Sequence, residues 1–356
     1  MKLDDLYTDK QLIYNTPISD ICKAKPKQTS ITSTSDYVCL KIVDVDFKIP
    51  PHSIKREITA IKSLQDHHGI VKYIEDFQIF EDVVLVLEYY PYNLNQLMRN
   101  KKYCRKRTRY NLDGGGEGSS GVKYTLSNLI SPPQAKQFVT NLISAVRFIH
   151  ENNIIHRDLK PNNILFIKDD IGQPVIADFG VCYNLLDPPE DEPLAQKYTD
   201  VCTGIYKAPE LLLNITNYSF EIDIWSVAII MTILYSPDFK SILVREDHAS
   251  GGSVDDGEEE EEQLHNESSI SDLHLLSCIF KVFGTPTYRK DELQTDEDRD
   301  EMYWPELNND DCHFKKFNLK RFQRMGLDKI IPKCEDEEMK QLFQKMTRYD
   351  RQKRSF

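Results

Sequence analysis

The first ninety residues show a pattern that predicts short strands around a single helix. Residues 37–45 and 83–89 are rich in β-branched and aromatic side chains, which is typical of strands. Between these runs, the apolar residues of segment 54–64 recur at helical spacing. We therefore expect a small β-rich unit that carries one helix.

From Ser131 onward the pattern is helical. Ser131 precedes two prolines and has Gln134 three positions later, which is typical of a capped helix start. Residues 225–234 are apolar nearly all round, so this helix is predicted to be buried on every side. The chain as a whole is therefore predicted to have an α+β fold, with a small strand-rich part followed by a larger helical part.

Two stretches carry too few apolar residues to offset the entropy of ordering them. Residues 99–109 hold seven Lys or Arg and run into a glycine-rich tract, and residues 246–272 hold eleven Asp or Glu with no Lys or Arg. Both are predicted to be disordered insertions, near residues 100–123 and 246–270. The basic run could be a nuclear-localisation or docking patch, and the acidic run could meet a basic partner, but solvated loops are the commoner explanation of each.

Composition narrows the class of protein. The chain has 356 residues and a net charge of -12, nearly all of it from the acidic insertion, and such a balance argues against nucleic acid as a partner. No apolar run is long enough for a membrane span, and the start MKLDDLYTDK does not resemble a signal peptide. The eight cysteines form no C-x-x-C pair. We expect a protein with reduced thiols that works in the cytoplasm, the nucleus or both, without binding a membrane.

Phosphoryl-transfer chemistry is indicated by the string IIHRDLKPNNILF at residues 154–166, followed by VIADFG at residues 175–180. This reaction needs a carboxylate that orients the attacking hydroxyl, and oxygen ligands that hold magnesium on the nucleotide. Asp158 is predicted to serve as the base, and Asn163 and Asp178 as the metal ligands. Lys160 is placed to neutralise charge on the transferring phosphate. Any one of these residues alone could cap a loop, so the prediction depends on their joint spacing.

These strings resemble the signatures of eukaryotic protein kinases. The resemblance continues through APE at residues 208–210 and DIWS at residues 223–226. It implies a bilobal protein kinase fold, with a small β-rich N-lobe at residues 1–90, a larger helical C-lobe at residues 91–356, and ATP and Mg2+ as cofactors. It also implies a buried ion pair between Glu210 and Arg354, and a role for Asp223 in bracing the catalytic loop.

The resemblance assigns two further contacts in the active site. Lys41 ends a strand-like run and Glu57 lies in the following helical pattern, so the two are expected to pair and to hold the α- and β-phosphates. Each alone could be a solvated surface charge, and only their order with the later motifs supports the pairing. Thr203 is expected to hydrogen-bond Asp158 and Lys160.

The adenine site is assigned in the same way. The strand at residues 83–89 and the following PYNL are expected to form the hinge, with Leu87 at the gatekeeper position. Glu88 and Tyr90 mark the segment that would offer backbone groups to adenine. Leu165 is also assigned to nucleotide binding.

One departure from the kinase pattern stands out. The family's glycine-rich loop should precede Lys41, because its backbone N–H groups fold over the phosphates, but the first glycine of this chain is Gly69. A G-x-G-x-x-G match at residues 116–121 follows no predicted strand, and we interpret it as a chance match. Phosphate binding is then expected to depend on Lys41, the metal and a glycine-free turn such as residues 15–19.

Several segments resemble the cyclin-dependent kinase branch, among them LHLLSCIFKVFGTPT at residues 273–287 and YWPEL at residues 303–307. Together with the glycine-free N-terminus, they are similar to the monomeric CDK-activating kinases of budding yeasts. This resemblance implies a monomer that needs no cyclin and transfers phosphate from ATP to the activation-loop threonine of a cyclin-dependent kinase. A cyclin-dependent-kinase-like enzyme with other substrates, and a nucleotide-impaired scaffold, stay open as alternatives.

The activation segment, residues 178–210, suggests unusual regulation. In cyclin-dependent kinases the regulatory phosphothreonine lies five residues before the counterpart of Thr203, and here that position holds Tyr198. Thr199 is displaced by one residue, whereas Arg157, which would pair with the phosphate, is retained. We expect that this kinase does not need phosphorylation of its activation segment.

Overall fold

The computed structural model describes residues 2–27, 36–46, 49–109, 123–244, 270–309, 314 and 320–356. The chain forms two compact units, one of Met1–Leu97 with Thr140–Leu194 and one of Met98–Val139 with Ala195–Phe356. The boundaries of these units differ from the predicted lobe boundary at residue 90, which stays a prediction. The parts of the two predicted insertions at residues 110–122 and 246–269 lie outside the described residues.

The strands and helices are numbered in chain order over the described residues. The strands are β1 (Tyr7–Thr16), β2 (Ser19–Pro26), β3 (Val38–Asp44), β4 (Tyr73–Ile79), β5 (Asp82–Glu88), β6 (Tyr92–Asn93), β7 (Cys104–Arg109), β8 (Lys123–Asn128), β9 (Ile154–Ile155), β10 (Ile164–Phe166), β11 (Val175–Ile176) and β12 (Tyr183–Asn184). The helices are α1 (Leu3–Leu6), α2 (Ile54–Ser63), α3 (Leu94–Arg99), α4 (Pro132–Glu151), α5 (Pro209–Leu212), α6 (Glu221–Leu234), α7 (Asp272–Phe283), α8 (Asp296–Glu301), α9 (Leu327–Ile330) and α10 (Glu337–Met346).

The first unit is built on a five-stranded antiparallel sheet in the order β1-β2-β3-β5-β4. The predicted strands at residues 37–45 and 83–89 are confirmed as β3 and β5, and the predicted helix at residues 54–64 is confirmed as α2. Strands β1 and β2 were not predicted, because their side chains are mostly polar or exposed. One face of the sheet buries an apolar cluster of Tyr7, Ala24, Val38, Leu40, Val84 and Val86.

Strand alternation and helix capping position the charged residues of this unit. In β3, Leu40 is buried in the apolar cluster, so Lys41, the next residue, points to the opposite face of the sheet. Helix α2 begins after Ser53, whose side chain accepts a hydrogen bond from the backbone N–H of Arg56. Glu57 therefore lies in the first turn of α2, where the helix dipole favours a negative charge.

The remaining strands of the first unit are short and support the loops between them. Strand β10 lies between β6 and β11 in a three-stranded antiparallel sheet, and β9 pairs with β12. Together these pairs fix both ends of residues 156–163 and of the segment that contains Asp178. Backbone pairing of these mostly buried strands therefore positions the predicted catalytic loop.

The second unit is mainly helical. All residues of α6 from Ile222 to Leu234 are buried, which confirms the prediction of a helix buried on every side. The ring of Trp225 lies 5.1 Å from that of Phe283 in α7, and α6 also packs against α10. Helix α4 begins at Pro132, and the predicted cap is confirmed, because Ser131 donates to Gln134 Oε1 through its backbone N–H (3.0 Å) and its hydroxyl (2.9 Å).

The disorder predicted near residues 100–123 is wrong for the first part of that range. Strand β7 pairs antiparallel with β8 over six residue pairs, from Cys104 with Asn128 to Arg109 with Lys123. The charged residues Arg105, Lys106 and Arg107 are exposed, so a strongly basic strand is tolerated here because cross-strand backbone bonds form while the side chains stay in water. Composition alone therefore gave the wrong conclusion for this segment.

In the part of the chain that the structure describes, no helix is both long and apolar enough to cross a bilayer. The seven cysteines within it are free thiols. Cys312 lies outside the described residues.

Candidate active site

The ammonium group of Lys41 lies between two carboxylates and contacts both. Its Nζ lies 2.9 Å from Oε1 and 2.8 Å from Oε2 of Glu57, and 2.8 Å from Oδ1 of Asp178. The predicted pairing of Lys41 with Glu57 is confirmed, and the contact with Asp178 joins strand β3, helix α2 and the segment after β11. These three elements, far apart in the chain, converge on one positive charge.

Lys41 and Asp178 each stabilise the ionised form of the other. Burial by itself would lower the pKa of Lys41, but the charges of Asp178 and Glu57 raise it well above its usual range. Burial would likewise raise the pKa of Asp178, and Lys41 instead holds it well below its usual range. Burial raises the pKa of Glu57, and Lys41 opposes that rise. The lysine is therefore cationic, and Asp178 is anionic, across the physiological pH range.

Gly180 lets the cluster pack closely. A Cβ at this position would lie 3.3 Å from Oδ1 of Asp178, which is tighter than an ordinary contact. It would lie 3.4 Å from Nζ of Lys41, which is the lower limit of ordinary contact. Its carbonyl accepts a hydrogen bond from the backbone N–H of Ser53, the capping residue of α2, at 2.9 Å. The glycine thus connects the start of α2 to the segment that carries Asp178.

The predicted base, Asp158, is held by two neighbours in its own loop. Lys160 Nζ lies 2.8 Å from Oδ2 of Asp158. Asn163 donates through Nδ2 to the backbone carbonyl (2.8 Å) and to Oδ2 (3.1 Å) of the same residue. The predicted base, the lysine predicted to neutralise the transferring phosphate and one predicted metal ligand are therefore brought together.

A histidine and a backbone bond connect this loop to Asp178. His156 is fully buried, its Nδ1 accepts from the backbone N–H of Asp158 (3.2 Å), and Nε2 lies 3.1 Å from the carbonyl of Ala177. Because Nδ1 is an acceptor, Nε2 carries the proton and donates to that carbonyl. The N–H of Ala177 in turn donates to the carbonyl of Asn163 at 2.9 Å. The backbone of Asn163 is thus bonded to Ala177, the residue before Asp178, and this bond positions both predicted metal ligands.

The side chains of Asn163 and Asp178 fit the chemistry of magnesium. The Nδ2 of Asn163 faces Asp158, so its Oδ1 points away from that carboxylate, and Asp178 supplies carboxylate oxygens. Mg2+ prefers such oxygen ligands and completes its shell with water and substrate phosphates. Among the described residues, no group of three or more His, Cys, Asp or Glu side chains could hold a metal ion.

The predicted hinge residues lie together at the end of β5. Leu87 and Glu88 are buried, and the hydroxyl of Tyr90 donates to Oε2 of Glu88 at 2.8 Å. The N–H of Glu88 donates to the carbonyl of Lys72 at 3.0 Å. Leu165 lies in β10, paired with residues of β6 and β11. The roles of these residues in nucleotide binding stay predictions.

The turn between β1 and β2, which precedes Lys41, differs from the glycine-rich loop of the kinase pattern. Strands β1 and β2 pair as far as Thr16 with Ser19, leaving only Pro17 and Ile18 between them. The hydroxyl of Thr16 accepts from the N–H groups of Ser19 (3.0 Å) and Ile18 (3.4 Å). These amides are therefore bound inside the turn, and they are not offered to a phosphate as those of a glycine-rich loop would be.

A cavity of about 500 Å3 lies beside this turn and the Lys41 cluster. Its lining includes Ile18, Ser19, Lys41, His52, Glu57 and Gly180. Burial lowers the pKa of His52, which favours its neutral form. The sequence analysis included Thr16 in a candidate phosphate-binding turn, residues 15–19, but it did not single out His52, because His52 belongs to no kinase motif.

Other predicted residues lie in the second unit. The ion pair of Glu210 and Arg354 is confirmed: Arg354 donates to Oε1 at 2.6 Å and to Oε2 at 3.1 Å, and both side chains are fully buried. Asp223 is buried in α6. Thr203 directly precedes a 3-10 turn at Gly204–Tyr206. The predicted contacts of Asp223 and Thr203 with the catalytic loop stay predictions.

The sequence analysis missed one buried acid of the activation segment. Glu192 is fully buried and pairs with Arg157, the residue that would pair with an activation-segment phosphate in a cyclin-dependent kinase. The string PPEDEP contains three acidic residues in a row, and their spacing does not indicate which one is buried. Only the folded chain distinguishes Glu192 from its neighbours.

Comparison with known proteins identifies the family. The family described as "Protein kinase domain" matches residues 25–355. The chain is 29% identical over 317 residues to "Serine/threonine-protein kinase CAK1" of Saccharomyces cerevisiae, covering 82% of this chain and 77% of that protein. It is 28% identical over 253 residues to "Serine/threonine-protein kinase KIN28" of the same yeast, covering 71% of this chain and 59% of that protein.

The chain is also similar to a vertebrate kinase and to a solved structure. Identity to "Cyclin-dependent kinase 20" of Danio rerio is 26% over 312 residues, which covers 88% of this chain and 69% of that protein. The fold matches a chain in the structure of the CAK complex from Chaetomium thermophilum bound to ATP-gamma-S, with a TM-score of 0.66 and 22% identity. That match covers 99% of this chain and 88% of the other, and it establishes a kinase fold with a β-sheet N-lobe and a helical C-lobe.

Proposed function

Because the chain belongs to the protein kinase family and is a serine/threonine protein kinase related to cyclin-dependent kinases, we propose that it is a CDK-activating kinase. Its substrate would be the activation-loop threonine of a cell-cycle cyclin-dependent kinase, and ATP would be the phosphate donor. It would act as a monomer, without a cyclin, in the cytoplasm, the nucleus or both. Imaging of a fluorescent fusion would test the location.

One observation carries the catalytic part of this proposal. The ammonium of Lys41 binds Glu57 and Asp178 at once, and Asp158, Lys160 and Asn163 form a second hydrogen-bonded cluster. A nucleotide-impaired scaffold would be expected to lack one of these groups. The substrate is supported by the segments that resemble CDK-activating kinases and by the similarity to the yeast kinase named CAK1 over 82% of the chain.

The geometry suggests how the residues would act. The oxygen of the substrate hydroxyl forms a bond to the γ-phosphorus of ATP, the bond from that phosphorus to the β–γ bridging oxygen breaks, and ADP leaves. Asp158 accepts the hydroxyl proton, and Lys160, hydrogen-bonded to it, neutralises charge on the transferring group. Lys41 holds the remaining phosphates, and Glu57 fixes the direction of its ammonium.

Magnesium, which the kinase family uses with ATP, would be held by Asn163 and Asp178 and would neutralise phosphate charge. Hydrogen bonds within this chain position those two residues. The hydrogen bonds of Asn163 to Asp158 and of Ala177 to Asn163 keep the amide and the carboxylate adjacent.

The test uses the purified full chain with Mg-ATP and a cyclin-free cyclin-dependent kinase. We expect phosphorylation of that kinase, and none when its activation-loop threonine is replaced by alanine. Asp158→Asn should abolish the reaction. Asp66→Asn, a matched change at an exposed position outside the site, should leave it intact.

Three outcomes would contradict the proposal or part of it. Phosphorylation of generic serine or threonine peptides, but not of the cyclin-dependent kinase, would favour a related kinase with other substrates. No turnover of ATP with any acceptor would favour the scaffold. A requirement for a cyclin on the enzyme would contradict the monomeric form.

A further inference from the structure

Glu192 is a buried carboxylate in the segment that follows Asp178. Its side chain is 0% exposed, whereas the neighbouring acids Glu190 and Asp191 are exposed. A buried charge is costly unless it is paired and hydrogen-bonded. The contacts of Glu192 therefore show what holds this part of the activation segment in place.

Arg157 is the main partner of Glu192. Its Nη1 donates to Oε1, and its Nη2 donates to Oε2 at 3.2 Å, so the guanidinium binds both carboxylate oxygens. Its Nε donates to the carbonyl of Val181 at 2.5 Å. The backbone of Glu192 is also held, because the hydroxyl of Tyr183 donates to its carbonyl at 2.8 Å. All three guanidinium nitrogens of Arg157 are thus bonded to the activation segment.

A second arginine approaches the same carboxylate from α2. Nη1 of Arg56 lies 3.6 Å from Oε2 of Glu192, and Nη2 donates to the carbonyl of Pro51. Arg56 directly precedes Glu57, the partner of Lys41. The carboxylate of Glu192 therefore faces one arginine from the catalytic loop and one from the helix that completes the lysine site.

The two arginines are adjacent in sequence to active-site residues. Arg56 precedes Glu57, and Arg157 precedes Asp158. Arg157 also has a positive φ of 68°, a conformation that a non-glycine residue holds only when its surroundings enforce it. Through these neighbours, Glu192 connects the backbone of Asp158 to the helix that positions Lys41.

Two arginines converging on one anion form the kind of site that recognises a phosphorylated residue. In kinases, new arginine–phosphate pairs order the activation loop. Here the anion belongs to the chain itself, and a phosphate on this segment would have to displace Glu192 from Arg157. The hydroxyl of Thr199, the nearest threonine to the expected phosphorylation position, instead donates to Oδ1 of Asn214 at 2.9 Å.

We propose that Glu192 replaces the activating phosphate: it is a positioning residue that keeps the catalytic loop and α2 aligned, so that the kinase is active without phosphorylation of residues 178–210. This inference rests on the proposed kinase activity. It does not depend on which protein is the substrate. Its tests therefore use a generic serine/threonine acceptor such as myelin basic protein.

The first test compares Glu192→Gln with Glu190→Gln, a matched change at an exposed acid two residues away. We expect Glu192→Gln to lower kcat by about 10- to 100-fold, because small misplacement of catalytic groups is costly, with the KM for ATP nearly unchanged. Glu192→Asp, which keeps the charge, should retain part of the activity. Glu190→Gln should behave as the wild type, and equal activity of Glu192→Gln would overturn the proposal.

A double variant separates positioning from stability. Arg157→Met with Glu192→Leu removes both buried charges together, so the fold should recover its thermal midpoint relative to Glu192→Leu alone. If Glu192 only stabilised the fold, this variant would regain activity, and that result would overturn the proposal. We expect a folded protein whose kcat stays low.

The third test needs no variant of Glu192. Wild-type protein treated with a phosphatase, and shown by intact mass to carry no phosphate, should keep its activity on the generic acceptor, as should Thr199→Ala. Loss of activity in either case would overturn the proposal. If the wild type is active on the generic acceptor but inactive on cyclin-dependent kinases, the proposed substrate fails while this inference stands.

Discussion

Lys41 and Asp178 are in direct contact, with 2.8 Å between Nζ and Oδ1, although 137 residues separate them in the chain. The contact joins the lysine that is proposed to hold phosphates to the carboxylate that is proposed to hold magnesium. Glu57 binds the same ammonium from the other side. One ammonium group therefore joins the proposed phosphate site to the proposed metal site.

Lys41 is predicted to be essential for positioning the phosphates of ATP. Lys41→Met should lower kcat/KM for ATP by at least about 100-fold, the usual loss when one donor to a developing charge is removed. Lys25→Met, at an exposed position in β2, is the control and should leave steady-state kinetics unchanged. An active Lys41→Met enzyme would contradict the site described above.

The charge coupling predicts how stability depends on pH. Because Lys41 holds the pKa of Asp178 below its unfolded value despite burial, ionised Asp178 stabilises the fold above the unfolded pKa of about 3.9. That contribution should be lost as the pH falls below about 4 toward the folded pKa. Urea unfolding from pH 7 to pH 3 should show a steeper loss of unfolding free energy in the wild type than in Asp178→Asn. Parallel curves for the two proteins would show that the coupling is absent.

Asn163 is predicted to set the magnesium requirement. Asn163→Ala removes one oxygen ligand and the hydrogen bonds to Asp158. The Mg2+ concentration for half-maximal activity should rise about tenfold or more, and kcat should fall as well. Titration of activity with Mg2+ at saturating ATP would measure both, and an unchanged Mg2+ dependence would remove Asn163 from the metal site.

The turn between β1 and β2 should contribute to stability more than to phosphate binding. Thr16→Val removes the acceptor of the Ile18 and Ser19 amides and should cost about 1 kcal/mol of unfolding free energy. The KM for ATP should change little, because those amides donate to Thr16 and are not available to a phosphate. A large rise in KM with unchanged stability would indicate instead that Thr16 contacts the nucleotide.

The buried pair of Glu210 and Arg354 should be a major source of stability in the second unit. Arg354→Met leaves Glu210 uncompensated in a fully buried position and should cost about 3–5 kcal/mol. Lys353→Met, one residue earlier and 44% exposed, should cost less than about 1 kcal/mol. Chemical denaturation of both variants measures the difference, and equal losses would contradict it.

Some features of the fold and of the site could be predicted from the sequence, and others could not, for physical reasons. The active-site prediction came from motifs that resemble those of protein kinases, with Lys41, Glu57, Asp158, Asn163 and Asp178 in the family's order. The resemblance implied the pairing of Lys41 with Glu57, and the structure confirms it.

Other features depend on tertiary contacts. The basic strand β7 was misread as a loop, because composition does not show that a partner strand lies twenty residues downstream. The internal bonds of the Thr16 turn were also missed, since they depend on how closely β1 and β2 pair.

The sequence by itself determined the chemistry of this protein: which side chains carry charge, which can bind a phosphate or a metal, and in what order the chain presents them. Only the tertiary structure decided that Glu192, rather than Glu190 or Asp191, is buried against Arg157 and near Arg56. The reason is that burial of a charge is settled by the partners that converge on it from distant parts of the chain, and adjacent residues of the same type differ only in those partners.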